Sequence, residues 1–192
     1  MLESPPPPFI LLGLSRSGKT STGRLLAAQL QLPFYDTDTI ITEHTALSPR
    51  TLYREKGRKA FYAAEYRALL SCLHSAVPCV IAAGGGICDN PQAAPVLQHA
   101  QNTFFLHTEE AVLFMRMERE AKERGSYPAF LDSLPFAQTE EARHLFAALY
   151  ARRTAWYRRT SRYTLFTTGL TPPDIAKQMA ALARQREFQC FG

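Results

Sequence analysis

The segment Gly13-Leu-Ser-Arg-Ser-Gly-Lys-Thr20 constrains this chain more than any other feature. It fits the pattern G-x-x-x-x-G-K-[ST] and follows a short apolar run, Phe9 to Leu12. Beyond it, Lys19 to Gln31 carries Leu25, Leu26 and Leu30 at helical spacing. A glycine loop between a buried strand and a helix N-terminus offers a concave set of backbone N–H groups to anionic oxygens. Lys19 is a flexible point charge that reaches β- and γ-phosphates, and the Thr20 hydroxyl is placed to ligate Mg2+. Gly13, Ser17, Gly18, Lys19, Thr20 and Ser21 are the expected nucleotide-binding residues. Arg16 reads as a solvated loop side chain, with a phosphate contact as the alternative.

The rest of the chain alternates strands with helices. Phe34-Tyr35 is a short strand ending at Asp36, Val80 to Ala83 runs into Gly84-Gly85-Gly86, and Thr103 to Leu106 is another apolar run. Tyr163 to Phe166 is a weaker one. Helical patterns separate them, which predicts an α/β fold with a parallel sheet covered by helices on both faces. The last helix is well punctuated. Thr171 caps it, Pro172 takes the first helical position, and Asp174 falls where a capping-box acid helps. Ile175, Met179 and Leu182 then share one face. Lys122 to Gln138 has no sustained period, contains Gly125, Pro128 and Pro135, and predicts a long loop of the kind that is functional or mobile.

Composition narrows the class. At 192 residues, 46% hydrophobic and 20% charged, the chain matches one ordinary globular domain. The expected organisation is a proline-rich lead-in over 1–8, a single domain over 9–186 and a tail over 187–192. The longest apolar run, Leu145 to Ala151, has seven residues, far short of the roughly eighteen of a membrane helix. The start MLESPPPP lacks the basic and apolar regions of a secretory signal. Cys72, Cys79, Cys88 and Cys190 form no C-x-x-C pair and the five histidines form no H-E-x-x-H. Reduced thiols and a cytoplasmic location are therefore expected, without zinc or disulfides. A net charge of +5 suits an anionic partner, but no aromatic and basic interleaving suggests a nucleic-acid reader.

Two carboxylates follow the second strand. Ligands of open parallel sheets bind beyond the carboxyl ends of the strands, so Asp36 and Asp38 point toward the phosphate crevice. One can hold Mg2+ through water and the other can accept the proton of an attacking hydroxyl. The competing reading is capping of the helix containing Ile40 and Ile41, by Asp38 or Thr39.

Two further charges sit on apolar stripes. From Arg58 to His74, Phe61, Ala68 and Cys72 share a face with Glu65 in its middle. From Thr139 to Arg159 the stripe is Ala142, Leu145, Phe146, Leu149, Trp156 and Tyr157, and Arg153 lies on it. Each charge needs a partner: an ion pair, such as with one another, or, for the Arg153 guanidinium, a bound anion. Arg152, Arg158, Arg159 and Arg162 read as a solvated basic face.

The P-loop, Phe34-Tyr-Asp-Thr-Asp38, Gly57 with Phe61 and Glu65, and Gly84-Gly85-Gly86 resemble, in order and spacing, the shikimate kinase family. The resemblance runs from about Phe9 to the final helix. It implies a P-loop fold of the nucleoside-monophosphate-kinase type, a three-layer sandwich whose five-stranded sheet has the order 2-3-1-4-5. It also implies ATP, Mg2+, and a lid at about 118–135 that closes over the phosphates. Under it Asp36 joins Thr20 in holding Mg2+, and Lys19 and Asp38 are the catalytic residues. Asp38, Tyr62, Gly84, Gly85, Gly86 and Arg153 then meet the substrate, Arg153 gripping its carboxylate, with Glu65 as an orienter behind them.

Three positions depart from that family pattern. The arginine expected after Phe61 is Tyr62, the lid arginine before Pro128 is Tyr127, and the second loop glycine is Arg16. The leading expectation is an ATP-dependent, monomeric kinase acting on shikimate. The alternatives are a relative that phosphorylates another hydroxylated metabolite and a nucleotide-binding regulator without turnover. Tyr62 and Tyr127 motivate the first of these.

Overall fold

Five short apolar strands find partners in a single sheet because each is too short and too hydrophobic to face water. They are β1 (Phe9–Leu12), β2 (Phe34–Asp36), β3 (Val80–Ala82), β4 (Thr103–His107) and β5 (Tyr163–Phe166). In the computed structural model, which describes residues 7–125 and 139–189, every pairing is parallel and the order is β2-β3-β1-β4-β5. The helices are α1 (Lys19–Leu30), α2 (Thr37–Thr45), α3 (Pro49–Leu73), α4 (Ala93–Gln98), α5 (Glu110–Arg124), α6 (Thr139–Thr160) and α7 (Pro172–Gln189). The expected fold class and strand order are both present.

Alternation along the strands builds two cores. Ile10, Leu12, Ile81 and Phe105 turn to one face and pack with Leu69 of α3, Leu97 of α4, Phe114 of α5 and Tyr157 of α6. Leu11, Val80, Phe104, Leu106 and Leu165 turn to the other, against Leu26 and Ala27 of α1 and Ile175, Ala176 and Met179 of α7. A third cluster, Ile41, Leu52, Ala64 and Ala68, holds α2 against α3. These are the three layers of an α/β sandwich.

Local signals set the starts of α7 and α3. At α7, Thr171 N donates to Asp174 Oδ2 at 3.1 Å and Asp174 N donates to Thr171 Oγ1 at 3.4 Å, a reciprocal cap. Ser48 Oγ accepts from Thr51 N at 3.1 Å to start α3, with Pro49 in its first turn. Gly57, at φ 79° and ψ 172°, kinks that helix into two arms.

Several expectations need correction. The cap of α2 is Asp36, whose side chain accepts from Asp38 N at 3.0 Å, not Asp38 or Thr39. Residues 122–124 continue α5, with the left-handed Gly125 ending it at φ 70°, so the expected loop begins later. Its remainder, including Tyr127 and the 126–135 part of the expected lid, lies outside the described residues. Leu25 and Leu145 face outward, Leu145 with 46% of its surface exposed; the inward positions of α1 are Leu26 and Ala27. Cys72 and Cys79 are buried free thiols, and burial pushes Cys72 up to about 11. Among the described residues no helix is long and apolar enough to cross a membrane.

Leu69 ties α3 to the sheet and is fully buried. Leu69→Ala is expected to lower unfolding free energy by about 2–5 kcal/mol in urea denaturation, and Leu145→Ala by less than about 0.5 kcal/mol.

Candidate active site

Parallel pairing delivers the carboxyl ends of all five strands to one edge, and the loop after β1 lies at its centre. Gly13 holds φ 144°, and a Cβ there would come within 2.8 Å of the Leu106 carbonyl oxygen. Gly18 enters α1 in the left-handed region at φ 93°. These two positions need glycine, because the loop must turn tightly against the sheet and then into a helix. Arg16 adopts φ 67° between them. Lys19 folds back over the loop and donates from Nζ to the carbonyls of Gly13 and Leu14, at 2.9 and 2.8 Å. Only 8% of it is exposed. Burial pulls its ammonium down to about 8, opposed by the charges of Asp38 and Asp36. Ser17 Oγ is buried with no hydrogen-bond partner among the described residues. A cationic cradle with an unfilled hydroxyl suits phosphate oxygens.

Beside the cradle, Thr20 Oγ1 donates to Asp36 Oδ2 at 2.7 Å. Two hard oxygens side by side at the mouth of a phosphate loop are a donor set that Mg2+ accepts. Asp38, two residues on, turns its carboxyl toward Gly84: a Cβ on that glycine would lie 3.1 Å from Asp38 Oδ1 and 3.0 Å from Glu65 Oε1. Removal from water raises the Asp38 pKa, the like charge of Asp36 adds to the rise, and Lys19 opposes it.

The three glycines after β3 let backbones and charges converge. Gly84 N donates to the buried Thr37 Oγ1 at 2.9 Å. A side chain on Gly85 would overlap the Ser15 backbone, so the two loops touch there. The Gly85 carbonyl accepts from Arg153 Nη1 at 3.0 Å and Tyr157 Oη at 3.1 Å. A Cβ on Gly86 would meet Arg153 Nη2 at 3.0 Å.

Glu65 and Arg153 do face inward, but each has found a different partner. Glu65, 1% exposed, accepts from Asn90 Nδ2 at 2.9 Å. Burial drives its carboxyl up to about 7, with Asn90 and Arg153 opposing and Asp38 reinforcing. Arg153 donates from Nη2 and Nε to Asp89 Oδ2, at 2.8 and 3.1 Å. Arg152, expected in the solvated basic face, grips the same Asp89 through both terminal nitrogens. Burial raises the Asp89 carboxyl, but the two arginines outweigh it and hold the group below its ordinary value. Tyr62 lies half-buried on α3, where burial and the Asp89 charge raise its phenol, so it stays neutral near pH 7.

The expected residues therefore gather at one edge: the loop from Gly13 through Ser21, then Asp36, Asp38, Tyr62, Gly84, Gly85, Gly86 and Arg153. Arg16 is not a solvated side chain, since it pairs with Glu120 of α5. Asp89 and Asn90 were missed. Their one signal is proximity to the glycine run: Asp89 ends the 3₁₀ turn Ile87–Asp89 that follows it, and Asn90 is the next residue. Arg119, on the part of α5 within the expected lid, pairs with Glu123 on the surface.

Glu65 is a protonated acid in the fold at pH values where the unfolded chain has ionised. Between its ordinary value of 4.5 and about 7 the native state holds the extra proton, so stability falls as pH rises. Glu65→Gln is expected to remove about 2–4 kcal/mol of that pH dependence between pH 5 and 8, read from melts across the range. Parallel wild-type and variant profiles would contradict the assignment.

A phosphate loop between β1 and α1, an acid after β2 and a glycine turn after β3, on a sheet of this order, define a P-loop kinase. The shikimate kinase family model matches residues 16–184, and the chain belongs to that family. The shikimate kinase of Syntrophus aciditrophicus is 28% identical over 181 residues, covering 94% of this chain and 92% of that one. That of Thermosynechococcus vestitus is 39% identical over 114 residues, 59% of this chain and 61% of the relative. Among solved structures, the Acinetobacter baumannii shikimate kinase in complex with shikimate superposes with TM-score 0.77 at 25% identity, covering 94% of each chain. A gluconokinase from Sinorhizobium meliloti, at 20% identity and TM-score 0.58 over 97% of both chains, shares the fold.

Proposed function

We propose that this protein transfers the γ-phosphoryl group of ATP to a hydroxyl of shikimate, giving shikimate 3-phosphate and ADP, on the path to aromatic amino acids. The observation that carries this reading is the convergence of the Lys19 cradle, the Thr20–Asp36 pair and the Asp38 carboxylate beside Gly84. Lys19 leaves the carbonyls of Gly13 and Leu14 for the phosphates, whose charge restores its ammonium to full protonation. The loop amides, with Gly13, Ser17, Gly18 and Ser21, orient the polyphosphate. Thr20 and Asp36 would hold Mg2+, which when bound neutralises developing phosphate charge.

Asp38 points the acceptor hydroxyl at phosphorus and takes its proton. Its raised affinity for a proton suits that role, since a stronger base is a better acceptor. Glu65 stands behind it and fixes the shape of the pocket through Asn90. Gly84, Gly85 and Gly86 let Asp38, Glu65, the Ser15 backbone and Arg153 close in around the place for the substrate.

Arg153 and Tyr62 frame the place for a substrate carboxylate. Arg153 is held by Asp89 in the free protein, and Arg152 shares that acid. When a carboxylate enters, Arg153 exchanges partners while Arg152 continues to neutralise Asp89, so no acid is left unpaired. Tyr62 donates a neutral hydrogen bond where the family pattern has a guanidinium. This specific substitution favours, as a second reading, an acceptor of the same polyol type with less anionic character. The protein is taken to act as a cytoplasmic monomer that binds no nucleic acid.

A coupled ADP-release assay with Mg-ATP is expected to show turnover that depends on shikimate and exceeds that with gluconate or neutral polyols. Turnover with a neutral polyol alone would support the second reading, and nucleotide binding without turnover would contradict both. Asp38→Asn is expected to lower kcat by about 10²–10⁴ with little change in ATP affinity. Arg153→Lys should raise KM for shikimate roughly tenfold or more while sparing KM for ATP.

A further inference from the structure

Arg16 is held in a conformation that glycine adopts freely and that other residues avoid, at φ 67°. It nevertheless sits in the centre of the phosphate loop, and α5 secures it twice. Glu120 takes its guanidinium Nε in an ion pair. One helical turn earlier, Arg116 Nη1 donates to the Arg16 carbonyl at 2.8 Å. The ion pair is only partly shielded, with side-chain exposures of 22% for Arg16 and 29% for Glu120. Arg16 also lies close enough to Lys19 for its charge to oppose protonation of that ammonium. A second cation is thus stationed beside the phosphate cradle, with a carboxylate as its present counter-ion.

We propose that Arg16 is a nucleotide-contacting residue, and that Glu120 is its exchangeable counter-ion. Resting on the nucleotide-binding reading above, the exchange runs as follows. When a nucleoside di- or triphosphate enters the loop, the guanidinium swaps the Glu120 carboxylate for phosphate oxygens. The planar fork of arginine suits a phosphate better than the single Nε contact it makes with Glu120. A partly exposed ion pair contributes little, so its loss opposes the swap weakly. Glu120 then competes with the ligand, and α5 responds to occupancy because two of its side chains hold the loop at Arg16.

This account predicts opposite effects from the two halves of one ion pair. Arg16→Gly keeps the loop conformation, because glycine tolerates the left-handed φ, and removes only the charge. Isothermal titration with Mg-ADP is expected to show affinity weakened about tenfold in Arg16→Gly and largely recovered in Arg16→Lys. Glu120→Gln is expected to tighten binding by about two- to fivefold. The double variant should bind like Arg16→Gly. If Glu120→Gln weakens binding as Arg16→Gly does, the pair is a structural strut and the proposal is overturned; unchanged affinity in Arg16→Gly overturns it equally. Failure of the wild-type protein to bind Mg-ADP would remove the nucleotide reading itself. Thermal melts of each variant separate loss of fold from loss of ligand.

Discussion

A buried ammonium held by two neutral carbonyls is the interaction on which the site depends. Lys19 is nearly inaccessible to water, and its direct partners are peptide oxygens of Gly13 and Leu14 rather than an acid. Carbonyl dipoles compensate a buried positive charge incompletely, which is why the lysine binds its proton less firmly than usual. The neighbouring carboxylates, Asp36 and Asp38, act through space and keep the charge from being lost. Phosphate oxygens would supply what the carbonyls do not. The tight glycine turn, the start of α1 and the adjacency of β1 with β3 all place this one cation at the centre of the sheet edge.

Around that cation the charged and polar groups are arranged in pairs. Arg153 and Arg152 share Asp89, Thr20 rests on Asp36, and Arg16 rests on Glu120. Under the proposed function each free-state partner satisfies a group that has a second use once ligands arrive. Glu65 differs: its bond to Asn90 is buried and local, and it stays protonated up to about neutral pH. It ties α3 to Asn90, and the stability its extra proton brings is lost as pH rises from about 4.5 to about 7.

The phosphate loop, the two acids after β2 and the glycine run could be read directly because each is a local pattern with a local physical cause. Loop geometry needs glycine within a few residues, and a strand end exposes whatever follows it. The strand order followed from the resemblance, which joined pieces that periodicity alone leaves unordered. What could not be read were contacts between distant segments. Arg16 and Glu120 are 104 residues apart, and Arg153 and Asp89 are 64 apart. Nothing in the spacing around Glu65 distinguishes a pairing with Arg153 from the observed bond to Asn90. Leu145 failed for a related reason: helical spacing gives a face, but the width of the buried stripe is set by what packs against it, and here the stripe is narrower than the leucine pattern.

The Lys19 ammonium is also the most direct probe of the whole account. Its side-chain resonance, assigned by comparison with Lys19→Arg, can be followed by NMR from pH 6 to 11 with and without Mg-ADP. The account predicts a titration near 8 in the free protein and a clear upward displacement when nucleotide is bound. A midpoint at the ordinary lysine value in the free protein, or one that nucleotide leaves unmoved, would contradict it.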